Sequence, residues 1–134
     1  MKKTPVLFVG LLLGLTGCKS TDTPAPDSGL EGTWRLTNRQ CYCTPAPVPN
    51  ETVTFTDSSY RFVGSNRTLF VSGFYTKAAV AICGVPKTAP GLRLTDALAT
   101  LAPSDVQAFL NGDTLVLDYG SPCDAPRDTY VRVQ

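Results

Sequence analysis

From Leu30 onward, apolar and polar residues alternate in short runs that Gly, Pro, Asn and Asp interrupt every few positions. That pattern belongs to half-buried strands, because side chains on a strand point to opposite faces in turn. The first run, residues 30–37 (Leu-Glu-Gly-Thr-Trp-Arg-Leu-Thr), predicts an opening strand. Residues 52–56 and 59–63 flank Asp57-Ser58 and predict a hairpin, with Val53, Phe55, Tyr60 and Phe62 on one face. Further strands are expected at 68–75, at 78–83 and around Leu92-Arg93-Leu94, and a last one at 129–133. The stretch 95–109 carries competing patterns: helical turns beginning near Asp96 and Pro103, or the first arm of a hairpin. The hairpin is the stronger signal, since Asn111-Gly112 between 106–110 and 114–119 supplies the positive φ that a tight primed turn needs. No long amphipathic helix, repeat or heptad pattern interrupts the series.

About eight short strands joined by hairpins predict an all-β domain, a small antiparallel up-and-down barrel with a β-sandwich as the alternative. Closure of a barrel would remove the exposed sheet edges. With 134 residues the chain holds one such core.

The residues before Leu30 follow a different logic. Lys2 and Lys3 precede an apolar stretch from Pro5 to Leu15, shorter than the ~20 residues of a permanent membrane helix, so residues 1–17 read as an export leader. The leader ends in Leu15-Thr16-Gly17-Cys18, which resembles the lipobox of bacterial lipoproteins. The resemblance implies cleavage before Cys18 and lipidation of its thiol, with two or three acyl chains making a stable anchor. Lys19 stands where an Asp would retain a lipoprotein in the inner membrane, which points to the outer membrane if the source is Gram-negative. Residues 18–29 continue as a tether rich in Pro, Ser and Thr, and the folded domain is expected over 30–134.

The residues 30–36 around Gly32-Thr33-Trp34, with Asn111-Gly112-Asp113 and a closing Tyr130-Val131-Arg132, make the domain similar to the lipocalin-like domains of small bacterial lipoproteins. The resemblance covers most of residues 30–133 in element order, and its motifs lie at the two ends. It implies that Trp34 packs at the closed end of the barrel with Arg132 across its ring, a cation–π contact of about 0.5–2 kcal/mol. It also implies a pocket for a small apolar ligand or lipid, for which Phe55, Phe62, Leu115 and Leu117 are the candidate lining; the same residues would serve as packing in a filled barrel.

Once Cys18 is assigned to the lipid, Cys41, Cys43, Cys83 and Cys123 remain. In an exported domain they are expected to form two disulfides. Adjacent alternate residues of an extended chain diverge, so Cys41 and Cys43 are expected to take separate partners, either Cys83 and Cys123 or Cys123 and Cys83 respectively. A metal site is not expected: the chain has no histidine, and Cys41-Tyr42-Cys43 lacks the usual chelating spacing.

The missing histidine also excludes Ser-His-Asp and Cys-His catalysis. Gly64, Gly73 and Gly84 stand alone and build no phosphate loop. The acidic residues Asp57, Asp113, Asp118, Asp124 and Asp128 keep turn-forming company and are read as solvated, and Asn50-Glu51-Thr52 matches a glycosylation acceptor by coincidence. Without Lys2 and Lys3 the chain has 10 basic and 11 acidic side chains, so it has no field to attract nucleic acid. The expectation is therefore a lipid-anchored cell-envelope protein without enzymatic activity or cofactor. Its partners would be the membrane and a small apolar ligand. The alternative is an interaction module that inhibits an extracellular hydrolase or belongs to an envelope complex, with the loop at Pro45, Pro47 and Pro49 as its contact. Cys18→Ser should lose both the acyl mass and membrane fractionation; a variant that keeps either refutes the lipobox assignment.

Overall fold

The computed structural model describes residues 29–134, the side chains of residues 67 and 69 excepted. The leader, Cys18 and the tether lie outside the described residues. Eight antiparallel strands form a closed barrel in which each strand pairs with its neighbour in sequence: β1 Gly32–Gln40, β2 Thr52–Phe55, β3 Ser59–Val63, β4 Leu69–Val80, β5 Ala89–Asp96, β6 Ser104–Asn111, β7 Thr114–Asp118 and β8 Arg127–Arg132. Pairing of β1 with β8 closes the sheet and decides against the sandwich.

Alternation does most of the building. Trp34, Leu36, Val53, Phe55, Tyr60, Phe62, Tyr75, Leu92, Leu94, Val106, Leu115, Leu117 and Tyr130 point inward and form one buried cluster with Leu30. Phe55 and Tyr75 meet edge to face with ring centres 5.4 Å apart, and the Tyr75 hydroxyl donates to the Thr56 carbonyl at 2.6 Å. The Asn111-Gly112 hairpin forms, with Asn111 opposite Thr114 and Gly112 at φ 55°.

One expectation of strand layout changes. The separate strands at 68–75 and 78–83 are one strand, β4, because no turn-forming residue separates them and Thr76-Lys77 continues the pairing with β5. Of the competing patterns over 95–109 the hairpin is the one found: residues 97–101 turn, and β6 runs from Ser104 into the Asn111-Gly112 hairpin. The loop after β4 then doubles back: Cys83 is bonded to Cys123, and Gly84 abuts Pro122, so this loop lies against the one between β7 and β8. Val80 and Ile82 are buried there without joining the central cluster.

The pairing of Cys41 with Cys43 corrects the expectation that they take separate partners. The strand ends at Gln40 and the chain bends through Tyr42 and Cys43, which brings the two Cα atoms to 5.2 Å. The rule for an extended chain does not apply to a bend.

One end of the barrel is shut by the chain's own entry. Arg132 lies opposite Trp34 in the β1–β8 ladder, and its guanidinium sits 4.1 Å from the centre of the fully buried Trp34 ring. It donates to the carbonyls of Glu31 (2.7 Å) and Gly29 (2.6 Å), while the Trp34 indole N–H donates to the Leu30 carbonyl at 2.8 Å. Residues 29–31 are thereby laced across the opening. Gly32 makes the crossing feasible: it holds φ 123°, and a Cβ there would meet the Arg132 guanidinium at 2.8 Å.

Trp34→Ala should cost about 3–5 kcal/mol in denaturant unfolding, the range for deleting a buried aromatic. Arg132→Ala should cost less, and a double-mutant cycle should return a coupling above about 0.5 kcal/mol because the side chains touch. Additive losses would show that the stacking contributes nothing.

Candidate functional site

At the opposite end, strand periodicity is broken once. The register of β1 against β8 shifts between Leu36 and Asn38, a bulge that inserts one residue. Trp34 and Leu36 point inward before it; after it the inward position falls on Arg39 instead of Asn38. Arg39 is opposite Asp128, two residues before the inward Tyr130 on β8. Glu51 continues the inward face of β2, its carbonyl accepting from the Leu36 amide at 2.9 Å.

These four side chains form a polar floor inside the barrel. Arg39 donates through Nε and Nη2 to the two Asp128 carboxylate oxygens, both at 2.7 Å, and Nη2 also reaches Glu51 at 3.3 Å. The Tyr130 hydroxyl donates to Glu51 at 2.9 Å. Asp128 is 1% exposed and Glu51 7%, so the carboxylates depend on these donors for the solvation they have lost. The hydrogen bond to Asp128 holds the Arg39 guanidinium well above its ordinary range, against the opposing effect of its own desolvation. Burial pushes the Tyr130 phenol far up, reinforced by Tyr119, Asp128 and Glu51. Tyr119 is pushed up in the same direction, by burial first and then by Asp128 and Glu51.

Above this floor opens a cavity of about 360 Å³, within the range of small-molecule sites. Arg39, Glu51, Asp128 and Tyr119 line its base. Tyr60, Phe62, Val71 and Leu94 line the walls, and Phe70, Leu101 and Ala102 belong to the lining from exposed positions. Asp96 and Ser104 contribute polar atoms to the lining. Burial raises the Tyr60 phenol, and the charge of Asp96 adds to it.

Of the candidate lining residues, Phe62 borders this cavity. Phe55 and Leu117 are buried in the central cluster, and Leu115 borders a second cavity, of about 610 Å³, beside Gly29 and Leu30. Trp34 and Arg132 touch at the closed end, away from the cavity floor. Cys41, Cys43, Cys83 and Cys123 all lie in segments between strands and pair as described above. Cys18 lies outside the described residues.

Two carboxylates read as solvated turn residues are buried in strands. Asp128 anchors the floor. Asp118, on β7, accepts from the Gly120 and Ser121 amides and the Ser121 hydroxyl; burial would raise its carboxyl, and these bonds outweigh burial and hold it below the usual 3.8. The signal for Asp128 is present in the chain, since it alternates with Tyr130 and Arg132. Arg39 carries no such signal, because the bulge shifts it by one position.

No protein-family model, curated protein or solved structure matches this chain.

The tyrosines give the protein an alkaline limit. Tyr119 and Tyr130 stay neutral in the fold above their ordinary value of 10.0, whereas unfolded tyrosines ionise there. Their contribution to stability is present below pH 10.0 and lost as pH rises beyond it. Denaturation midpoints should hold steady at neutral pH and fall above about pH 10, and Tyr130→Phe should flatten that fall. Asp128→Ala should cost about 3 kcal/mol, the low end for a broken buried pair, because Arg39 keeps Glu51 and some water.

Proposed function

We propose that this chain is a lipid-anchored, non-enzymatic cell-envelope protein whose barrel carries a small, mainly apolar ligand with one polar group. The observation that carries this reading is the cavity: about 360 Å³, with apolar walls and a hydrogen-bonded polar floor, at the end of the barrel opposite the Trp34–Arg132 closure. Concave apolar walls with a few convergent polar groups are the general form of a small-molecule site. A barrel filled for stability alone would replace the Arg39–Asp128–Glu51 floor by packed apolar residues at little cost.

The lipocalin-like resemblance at Gly32-Thr33-Trp34 and Arg132 supports the same reading, as does the lipobox-like Leu15-Thr16-Gly17-Cys18. Two of the exposed apolar side chains fit it too. Phe70 and Leu101 are 58% and 62% exposed yet belong to the cavity lining, where a ligand passing from the membrane would meet them.

Native mass spectrometry of protein purified from its own envelope should reveal a retained small molecule. Ala102→Trp, on an exposed segment of the lining, should lower the affinity for that molecule at least about tenfold, which corresponds to 1.4 kcal/mol, while leaving the unfolding midpoint of the empty protein unchanged. A protein that arrives empty and binds no amphiphile would remove the proposal.

A further inference from the structure

We infer that the cavity selects a cationic amphiphile: a protonated amine or quaternary ammonium carried on an apolar body. The inference rests on the ligand-binding reading above and adds the charge of the ligand.

Among the described lining residues three carboxylates, Glu51, Asp96 and Asp128, face a single cation, Arg39. Arg39 is already engaged. Its Nε and Nη2 are directed at Asp128, and the same Nη2 is shared with Glu51 at 3.3–3.4 Å, longer than a charge-assisted bond of full strength. Glu51 therefore enters the floor with a second neutral donor, Tyr130, and an incomplete counter-charge. Asp96 takes hydrogen bonds from the Thr100 amide and hydroxyl, which orient its carboxylate without neutralising it. The lining as a whole is two negative charges in excess, and part of that excess is buried.

A ligand carboxylate or phosphate would meet three carboxylates of like charge and find Nε and Nη2 of Arg39 already bonded, with only Nη1 left to donate. A ligand cation would supply the missing counter-charge beside Glu51 and Asp128, which are themselves buried, where attraction is stronger than in open water. The rest of the lining suits it. Tyr60, Phe62, Phe70 and Tyr119 present aromatic rings, which attract an ammonium group as well as its alkyl body. A simple metal ion is the poorer occupant: among the described residues no group of three or more His, Cys, Asp or Glu is gathered to hold one, and the walls are apolar.

Three probes with the same chain separate charge from apolar fit: decylamine, which is protonated at neutral pH, decanol and decanoate. Each would be titrated into the folded domain below its micelle concentration and followed by calorimetry. Decylamine should bind at least about tenfold more tightly than decanoate, with decanol between them. Glu51→Gln and Asp96→Asn each keep one acceptor oxygen and remove one charge, so each should shrink that preference, chiefly by weakening decylamine. Equal binding of the three probes, or tighter binding of decanoate, would overturn the charge assignment and leave the apolar cavity standing. A preference for decylamine that neither substitution reduces would equally overturn it. Failure of all three probes to bind would remove both this inference and the reading beneath it. Circular dichroism of the two variants guards against misfolding, and either one suffices if the other does not fold.

Discussion

Everything in this barrel depends on the pairing of its first strand with its last. The β1–β8 ladder joins residues almost a hundred positions apart, and it does more than close the sheet. At one end it sets Arg132 opposite Trp34; at the other it sets Arg39 opposite Asp128. The two ends thus receive contrasting treatments from a single register. A guanidinium stacked on indole, bonded to backbone carbonyls and paired at its outer side with the exposed Asp113 makes a lid. A guanidinium chelated by carboxylates makes a floor that is polar and incompletely neutralised. Slippage of the ladder by one residue would destroy both, since the side-chain period is two.

The walls between these ends are ordinary by comparison. Their inward residues are apolar, chiefly leucine, valine and aromatic, and their hairpins use turn chemistry that local sequence dictates. Under the ligand-binding proposal the walls contribute shape and the floor contributes chemistry, through a small number of polar positions on β1, β8 and the segment entering β2.

That division also explains what could be seen in the chain beforehand. Strand order, the Asn111-Gly112 hairpin and the inward set Val53, Phe55, Tyr60 and Phe62 all follow from local rules, and all are found in the barrel. The merging of two expected strands into β4 needs only the absence of a turn signal, and was legible on a stricter reading of residues 76–77. Most of the polar floor was not legible, and the alternation that marks Asp128 was masked by its neighbours. Arg39 escapes strict alternation through the bulge, and Glu51 precedes its strand inside a sequence that looks like a loop. Asp128 resembles a turn residue because Asp124, Pro126 and Arg127 surround it. Likewise Cys41 and Cys43 pair because the strand stops one residue earlier, at a boundary that composition does not mark.

The bulge after Leu36 also bears on how such a domain can change over time. Hairpin tips and the proline-containing segment after Cys43 can gain or lose residues with little effect on the interior. β1 is held by the facing of Arg39. Regular pairing of every residue from Leu36 to Arg39 would turn Arg39 toward solvent and leave Asp128 and Glu51 inside with no cation. A strand one residue shorter and free of the bulge would again place Arg39 two positions after Leu36, facing inward. The locally irregular backbone is therefore what keeps the interior charged at this strand length, and length and bulge can change only together.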